Sequence, residues 1–498
     1  MAVLVCLLAL LFVACGDAVT TTDPSTTQTL SPSESAQTTT ASKNTETTTA
    51  SVTTDDTVNE AKRAELEALM KKDIARAEVI GNATIKSYGK QAGGAFGYVL
   101  SEKFNTKTNK AQGTSSVWHY TSYYAMISRL IDITEKSDAA YETFETLSSQ
   151  VYNGFGNYSG TGNIITYLGT VNVTMYGVHR AALSGKANIE GDQSVYDDQM
   201  WIIRENIYRY QQSGDQKYLD EAIRLCKICI NGWDYTLDEN DEEYGGIPWG
   251  PIYATKHTCS NAPIIKPLVE IYEILKAKND QNAQYYLDWA EKIYIFTRNN
   301  LKNPNNLYGD LVGTQRVERT GSNGKKYYVT LGTAGADGKE YTYNTGAMIS
   351  GAVALYKATG RSSYLTQAKS SSSAAYRTFC MGKTTKAPYY PNDTQTIWFN
   401  LVLLQGFLDL YEVVPETAEQ YIMSFQYWLD HAYDNYLKNG FLPRDTVNGW
   451  YNHEKESKEK FDELTNVMDQ SSYAQMYAML ALWAEQRINE IDAKDSGN

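Results

Sequence analysis

Histidine is scarce in this chain. Its 498 residues include five, His119, His179, His257, His431 and His453, scattered along the length. Cysteine is nearly as rare: there are six, and two of them, Cys6 and Cys15, fall in the first fifteen positions. Among the other four (Cys226, Cys229, Cys259 and Cys380), Cys226-Lys-Ile-Cys229 has the spacing of a metal or redox motif. That pair continues an apolar helical stripe through Leu219, Ala222, Ile223 and Ile230, so all four thiols read as small buried hydrophobes. With no second such pair and so few histidines, neither a zinc site nor a bound cofactor is expected. Positive charge is short as well: 45 Lys and Arg face 58 Asp and Glu, a net of −13. A phosphate-binding surface needs the opposite balance, so no nucleic-acid partner is expected.

The first fifteen residues are apolar almost throughout, too short a run to span a bilayer as a mature helix. Residues 1–15 read as a secretory signal. Its end, Phe12-Val13-Ala14-Cys15-Gly16, resembles a bacterial lipobox, in which Cys15 would be acylated and tie the chain to a membrane. No Lys or Arg precedes the apolar run, a departure from the usual signal, and a cleaved, secreted form is the alternative. Residues 16–58 are rich in Ser and Thr and nearly free of large apolar side chains, so they are expected to form a disordered tether. The expected location is the bacterial cell surface or envelope. Residues 59–498 remain as one large domain.

What the chain has in abundance is tyrosine. There are 39 Tyr and 9 Trp against 12 Phe, a bias toward rings with a polar edge that suit wet clefts. Sugar rings, with apolar CH faces and hydroxyl rims, match such surfaces. Most of the tyrosines, however, are expected to wedge between helices. Phrases recur: Tyr208 to Gly214 leading to Tyr218-Leu219, Tyr272 to Tyr286-Leu287, Tyr356 to Gly360 leading to Tyr364-Leu365, and Tyr411 to Tyr421-Ile422. Each closes one helix, turns, and opens the next. The spacing predicts twelve helices, at 62–80, 118–133, 138–152, 198–212, 216–231, 261–277, 283–300, 345–359, 361–379, 397–413, 417–437 and 469–491. Six stacked pairs could wind openly or close into a double ring, an all-α (α/α)6 toroid of six helical hairpins. Closure is favoured because the first helix and the last can complete the sixth pair. The segments leading into inner helices are also long and rich in Gly, Trp, Tyr and Asn, as a site at one end of a barrel requires.

Those leading segments are Val117 to Tyr120, Tyr196-Asp197-Asp198, Thr258 to Pro263, Tyr341 to Gly346, Asn392-Asp393-Thr394 before Trp398, and Met468-Asp469-Gln470. Ser260, Asn261, Asp393 and Asp469 are all good helix caps, and His119 reads as a structural hydrogen-bonder. Asp197 and Asp198 serve equally as a cap and a first-turn acid favoured by the helix dipole. They also serve as the carboxylate pair of a glycosidase, since retaining enzymes hold theirs about 5–5.5 Å apart.

Tyr196-Asp197-Asp198-x-x-Trp201, then Gly245-Gly246-Ile247-Pro248-Trp249, Ser260-Asn261-Ala262-Pro263 and Tyr343-Asn344-Thr345-Gly346, in that order over roughly residues 85–490, resemble glycoside hydrolase family 76. The resemblance implies an (α/α)6 barrel and an endo-acting α-1,6-mannanase. It assigns Asp197 as nucleophile and Asp198 as general acid/base of a retaining double displacement. Tyr196, Trp201, Trp249, Asn261, Tyr343 and Asn344 then become substrate-binding candidates, and the expected partner of a monomeric enzyme is α-mannan. Glu242-Glu243 makes one loop unusually acidic, and 311–340 looks like an inserted β-hairpin or lid. Three other readings compete: a non-catalytic glycan-binding lipoprotein, another (α/α)6 enzyme such as an unsaturated-uronide hydrolase, and a transglycosylase. A sugar epimerase would need histidine pairs the chain does not offer.

Overall fold

The structure, a computed structural model, describes residues 54–237, 240–313, 315–331, 339–382, 388–391, 396–450 and 464–495. The proposed signal with Cys15, the tether up to residue 53, and the Asn392-Asp393-Thr394 segment lie outside the described residues. All twelve expected helices are present among them: α1 (Thr54–Tyr88), α2 (Val117–Asp132), α3 (Ala139–Gly154), α4 (Tyr196–Ser213), α5 (Gln216–Asn231), α6 (Ala262–Ala277), α7 (Ala283–Leu301), α8 (Thr342–Thr359), α9 (Ser362–Phe379), α10 (Trp398–Tyr411), α11 (Pro415–Tyr436) and α12 (Val467–Asp495). α1 starts at Thr54, inside the stretch expected to be tether, and runs past both ends of its predicted span.

Helices α2, α4, α6, α8, α10 and α12 pack each on the next, and α12 closes back onto α2. Each is backed by one outer helix, and α1 backs α12, so the ends of the chain supply the sixth pair. The result is the closed (α/α)6 toroid. Inner helices touch neighbours on several sides, and burial extends round much of each; on α8 even Thr342, Asn344 and Ser350 are out of solvent. The outer helices carry one apolar stripe. Tyr218, Tyr286, Tyr364 and Tyr421, the repeated tyrosines, are 3%, 3%, 5% and 6% exposed, wedged between layers as expected. Gly214 and Gly360 end α4 and α8 in the left-handed region (φ 69° and 70°), where a side chain would be strained.

α8 and α10 cross at a point where only glycine fits. A Cβ on Gly346 would lie 2.4 Å from the Val402 carbonyl oxygen, and one on Gly406 would lie 2.7 Å from the carbonyl of Gly346. Gly346→Val should therefore force the two inner helices apart and lower stability by about 1–3 kcal/mol, the usual cost of overpacking. Denaturant unfolding measures this, and an unchanged midpoint would show that the crossing tolerates a side chain.

The two longest β-hairpins among the described residues stand on the ring. The segment at 311–340 does contain one, strands Gln315–Thr320 and Lys326–Leu331; residues 332–338 lie outside the described set. The other, Ser159–Thr166 with Gly169–Tyr176, follows α3 and has no counterpart among the expected elements. Arg316 stacks on Tyr167 of that hairpin's turn (4.3 Å to the ring centre) and donates to the Pro251 carbonyl, tying the two inserts together. Among the described residues no helix is long and apolar enough to cross a membrane.

Candidate active site

α4 begins directly at the pair. Val195 is its N-cap, with no side-chain cap bond, so Asp197 and Asp198 sit inside the first turn and neither is the capping residue. Asp198 is 6% exposed, while Asp197 is half-buried. Their surroundings differ in kind. Burial raises the Asp198 carboxyl well above the ordinary carboxylate range, and the neighbouring Asp197 charge pushes it further. Asp197 is raised too, by burial, but hydrogen bonds from Cys259 and Trp249 and the proximity of His257 pull it back. Two close carboxyls resist ionising together, and the one with donors keeps its charge. Of the two, Asp198 is the harder to ionise.

The donors come from loops. The Trp249 indole N–H meets Asp197 Oδ2 at 3.2 Å, and the same ring packs on Tyr253 (4.8 Å) and His257 (5.5 Å). Cys259 reaches Asp197 from the other side and also meets Tyr343. Tyr343 in turn is stacked on Phe399, with ring centres 4.2 Å apart. A third carboxylate, Asp310, faces the group and opposes ionisation of Asp197; its Oδ1 lies 3.6 Å from His257 Nδ1. Asp310 is held from behind. Thr258 donates from its N–H to the Asp310 carbonyl (2.9 Å) and from its hydroxyl to that of Gly309 (2.7 Å), and the Asn344 amide also reaches Gly309 (3.3 Å).

Removing the indole donor should expose its role. Trp249→Phe keeps an aromatic ring and loses the N–H, so the Asp197 pKa should rise and the acid limb of kcat/KM should move to higher pH. A hydrogen bond to a charged group contributes about 1.5–3 kcal/mol, so kcat/KM should fall at least about tenfold. An unmoved acid limb would dissociate Trp249 from Asp197.

The six proposed substrate contacts divide. Trp249 and Tyr343 stand beside Asp197. Trp201 lies in the barrel floor, edge-on to Trp398 at 4.4 Å, with Trp118 edge-on to Trp398 at 5.2 Å. Tyr196 does not face the cleft: it is 0% exposed, its N–H donates to the Trp249 carbonyl (2.8 Å), and its ring fills the space over Gly232. Asn261 is likewise fully buried and caps nothing; its Oδ1 accepts from the Ile247 N–H (2.8 Å) while its Nδ2 donates to the carbonyls of Ile247 and His257. It fixes the segment that carries Trp249. Asn344, 0% exposed, sits behind Asp310. The amides of Asn261 and Asn344 are directed at backbone, while the Tyr196 hydroxyl is buried without a hydrogen-bond partner.

Other expectations are corrected similarly. Cys226, Cys229 and Cys380 are core thiols, but Cys259, though buried, is part of the site. Asp469 caps no helix of its own: it accepts from the Ile397 N–H (2.9 Å) and pairs with Arg444 (2.8 Å). Glu243 is bonded to the Trp233 indole (2.8 Å) and Lys292 (2.7 Å). His119 bonds Ser116 Oγ at 2.8 Å, the structural part expected of it. Asp310 and His257 escape a reading of the sequence, since no local pattern marks them.

The sequence model of Glycosyl hydrolase family 76 matches residues 186–488. No curated protein matches the chain in sequence. Among solved structures, a family 76 glycoside hydrolase (mannosidase) from Bacteroides thetaiotaomicron VPI-5482 gives a TM-score of 0.63 at 19% identity, covering 84% of this chain and 100% of its own. A family 76 glycoside hydrolase from a bovine Bacteroides thetaiotaomicron strain gives 0.62 at 21% identity, over 82% of this chain and 78% of its own. The GH76A α-1,6-mannanase of Salegentibacter sp. HEL1_6 gives 0.57 at 19%, over 82% and 99%. At such identities these likenesses speak for the ring of helices. The sequence match says more, for it covers over half the chain and takes in the Asp pair, the Trp249 segment and the Tyr343 segment. The chain belongs to glycosyl hydrolase family 76.

Proposed function

We propose that the protein is an endo-acting α-1,6-mannanase that retains anomeric configuration through double displacement. The observation that carries this reading is the unequal environment of two adjacent carboxyls, one whose ionisation burial opposes and one served by an indole and a thiol. In the first step Asp198 gives its proton to the departing O6 of the leaving mannosyl unit as Asp197 attacks C1, forming a glycosyl-enzyme ester. In the second, Asp198 takes a proton from water, which attacks C1 and releases Asp197. Trp249 and Tyr343 supply ring faces beside the reacting carbon, and Asp310 with His257 offers hydrogen bonds to sugar hydroxyls.

Support for the substrate comes from a relative. An inactive variant of the Salegentibacter α-1,6-mannanase, with two consecutive aspartates replaced by asparagine, is seen in complex with α-1,6-mannotriose. Incubating the protein with debranched yeast mannan, and following products by chromatography and anomeric NMR, tests the proposal. Short oligosaccharides with retained configuration are expected. Inverted products, or binding without release, would overturn the mechanism, and the latter would favour the glycan-binding reading. Transfer to a sugar acceptor in place of water would mark a transglycosylase.

We also propose that Cys15 is lipidated and that the enzyme acts as a monomer tethered to the envelope of a bacterial cell. Expression of the full chain and of Cys15→Ser with a radiolabelled fatty acid tests the anchor, which predicts label only in the first.

A further inference from the structure

One cavity lies away from the Asp pair. It opens at the other end of the ring, where the C-terminal halves of α4, α6, α8 and α10 diverge, and encloses about 780 Å³. Arg204 is six residues beyond Asp198 on the same inner helix, so this region starts about 9 Å down the barrel. Between the two ends lie Trp118, Trp201 and Trp398, and the pocket they line holds only about 50 Å³. At about 10–15 Å³ of such space per water, that admits a few waters and no sugar. The cavity is thus separate from the cleft, and its volume is that of an ordinary ligand site.

Its chemistry is specific. Five basic and five acidic side chains line it, so the wall is neutral as a whole. Several are tied to one another: Lys266 bonds Asp409 at 2.8 Å, and Arg129 meets Glu205 at 3.6 Å while lying over the Tyr208 ring. Yet polar atoms remain that no protein group satisfies. They are Nη1 of Arg129, a residue 8% exposed, Nη1 of Arg204, Oε2 of Glu205, Oγ of Ser350 and Oδ2 of Asp409. Arg204 has no carboxylate within ion-pair distance among the described residues, and burial lowers its hold on its proton. Unsatisfied buried donors and acceptors each cost stability until something pairs them.

A charged ligand is a poor answer. An anion would suit the two arginines but lie against Glu205, Glu270 and Asp409, and a cation would meet the reverse. A neutral molecule whose groups both donate and accept serves both sets without disturbing the balance, and hydroxyl is that group. Between the charges, Pro267, Ile274, Val353 and Ala354 provide apolar wall for CH faces. We propose that this far cavity is a second carbohydrate site, which binds a neutral polyhydroxylated ligand of the size of a short oligosaccharide, independently of the Asp197–Asp198 cleft. The class is set by the cavity's own charges and not by the reaction at the opposite mouth.

Calorimetric titration tests it. The full protein carrying Asp197→Asn, which cannot consume its ligand, is titrated with α-1,6-mannotriose and with maltotriose, and with acetate and choline as charged probes. Two sites per chain are expected for mannotriose. Ala354→Trp, which fills the cavity from α8 and leaves every ion in place, should remove one site and leave the other unchanged. Ala358→Trp, from the next turn, should do the same. In the chain with Asp197 restored, neither tryptophan should change hydrolysis of short substrates by more than about twofold. Maltotriose binding at one site, lost in the tryptophan variants, would confirm that the cavity selects for neutral hydroxyls. If the cleft does not take mannan, one site remains and the tryptophans abolish it. If the cavity takes no sugar, any site that remains survives the tryptophans, and the proposal falls. Acetate or choline displacing the sugar there would equally overturn it.

Discussion

Asp198→Asn should slow hydrolysis of mannan by about 10²–10⁴-fold, the usual loss on removing a general acid, and at the same time make the protein harder to melt. Both effects have one cause. Folding places Asp198 where burial and the Asp197 charge oppose ionisation, so its folded pKa stands well above that of the unfolded chain. The contribution of the protonated carboxyl to stability is full below the unfolded value near pH 4 and is lost as pH rises through the raised folded value. An amide needs no proton. The variant should therefore gain on the wild type in melting temperature as pH rises, with little difference near pH 4. Substrates with a good leaving group need no acid and should recover the first step in Asp198→Asn. They should not recover it in Asp197→Asn, which lacks the nucleophile and should have no measurable turnover. In the wild type, kcat/KM should fall on the acid side as Asp197 gains a proton and on the alkaline side as Asp198 loses one. Equal response of the two variants to an activated substrate would erase the division of roles.

The second large effect is on stability. Lys256 and Asp234 form an ion pair at 2.5 Å, with side chains 4% and 0% exposed. Asp234 also exchanges backbone hydrogen bonds with Gly245 and Gly246 (3.0 Å each), at the start of the segment that ends in Trp249. Asp234→Ala would leave a buried ammonium without its carboxylate, a change that costs about 3–5 kcal/mol. Burial already lowers the Lys256 pKa, so the deficit should narrow as pH rises toward the ordinary lysine value and the folded state sheds that proton. Replacing both partners, Asp234→Ala with Lys256→Met, should be less harmful than the single change, because no charge is stranded. Melting curves of the three variants between neutral and alkaline pH measure this. If the double variant is the least stable, the pair itself is worth more than the charge it neutralises.

The helices were legible because their ends are written locally. Tyr-rich closing turns and the glycines at 214 and 360 mark where a helix must stop, and apolar repeats mark where it runs. The sequence pattern cuts α1 short, at 62–80 against Thr54–Tyr88, because its outer turns carry no strong apolar signal and extend along α12, a partner at the far end of the chain. The hairpin at Ser159–Tyr176 does carry a sign, with alternating burial about a Tyr167-Leu168 turn, but it is short and half exposed beside helices that dominate the pattern. The Asp pair was readable as a motif. Asp310 was not, since it stands in a coil after α7 and acquires meaning only when Thr258 and Asn344 grip Gly309. For Asn261 the sequence points to the right segment and the wrong role. A polar residue ahead of a helix looks like a cap until tertiary structure hands it the backbone of Ile247.

The seam between α1 and α12 constrains how the molecule is made. Leu66 packs with Ala484 and Ile488, and Arg63 meets Asp492 at 2.8 Å, so the ring helix made after the other eleven is the one that joins α1, α2 and α10. Until it emerges, five hairpins form an arc whose two open flanks expose α2 and α10 to water. The nascent enzyme therefore travels as an unfinished crescent, and its assembly waits on that closing helix however early the others settle.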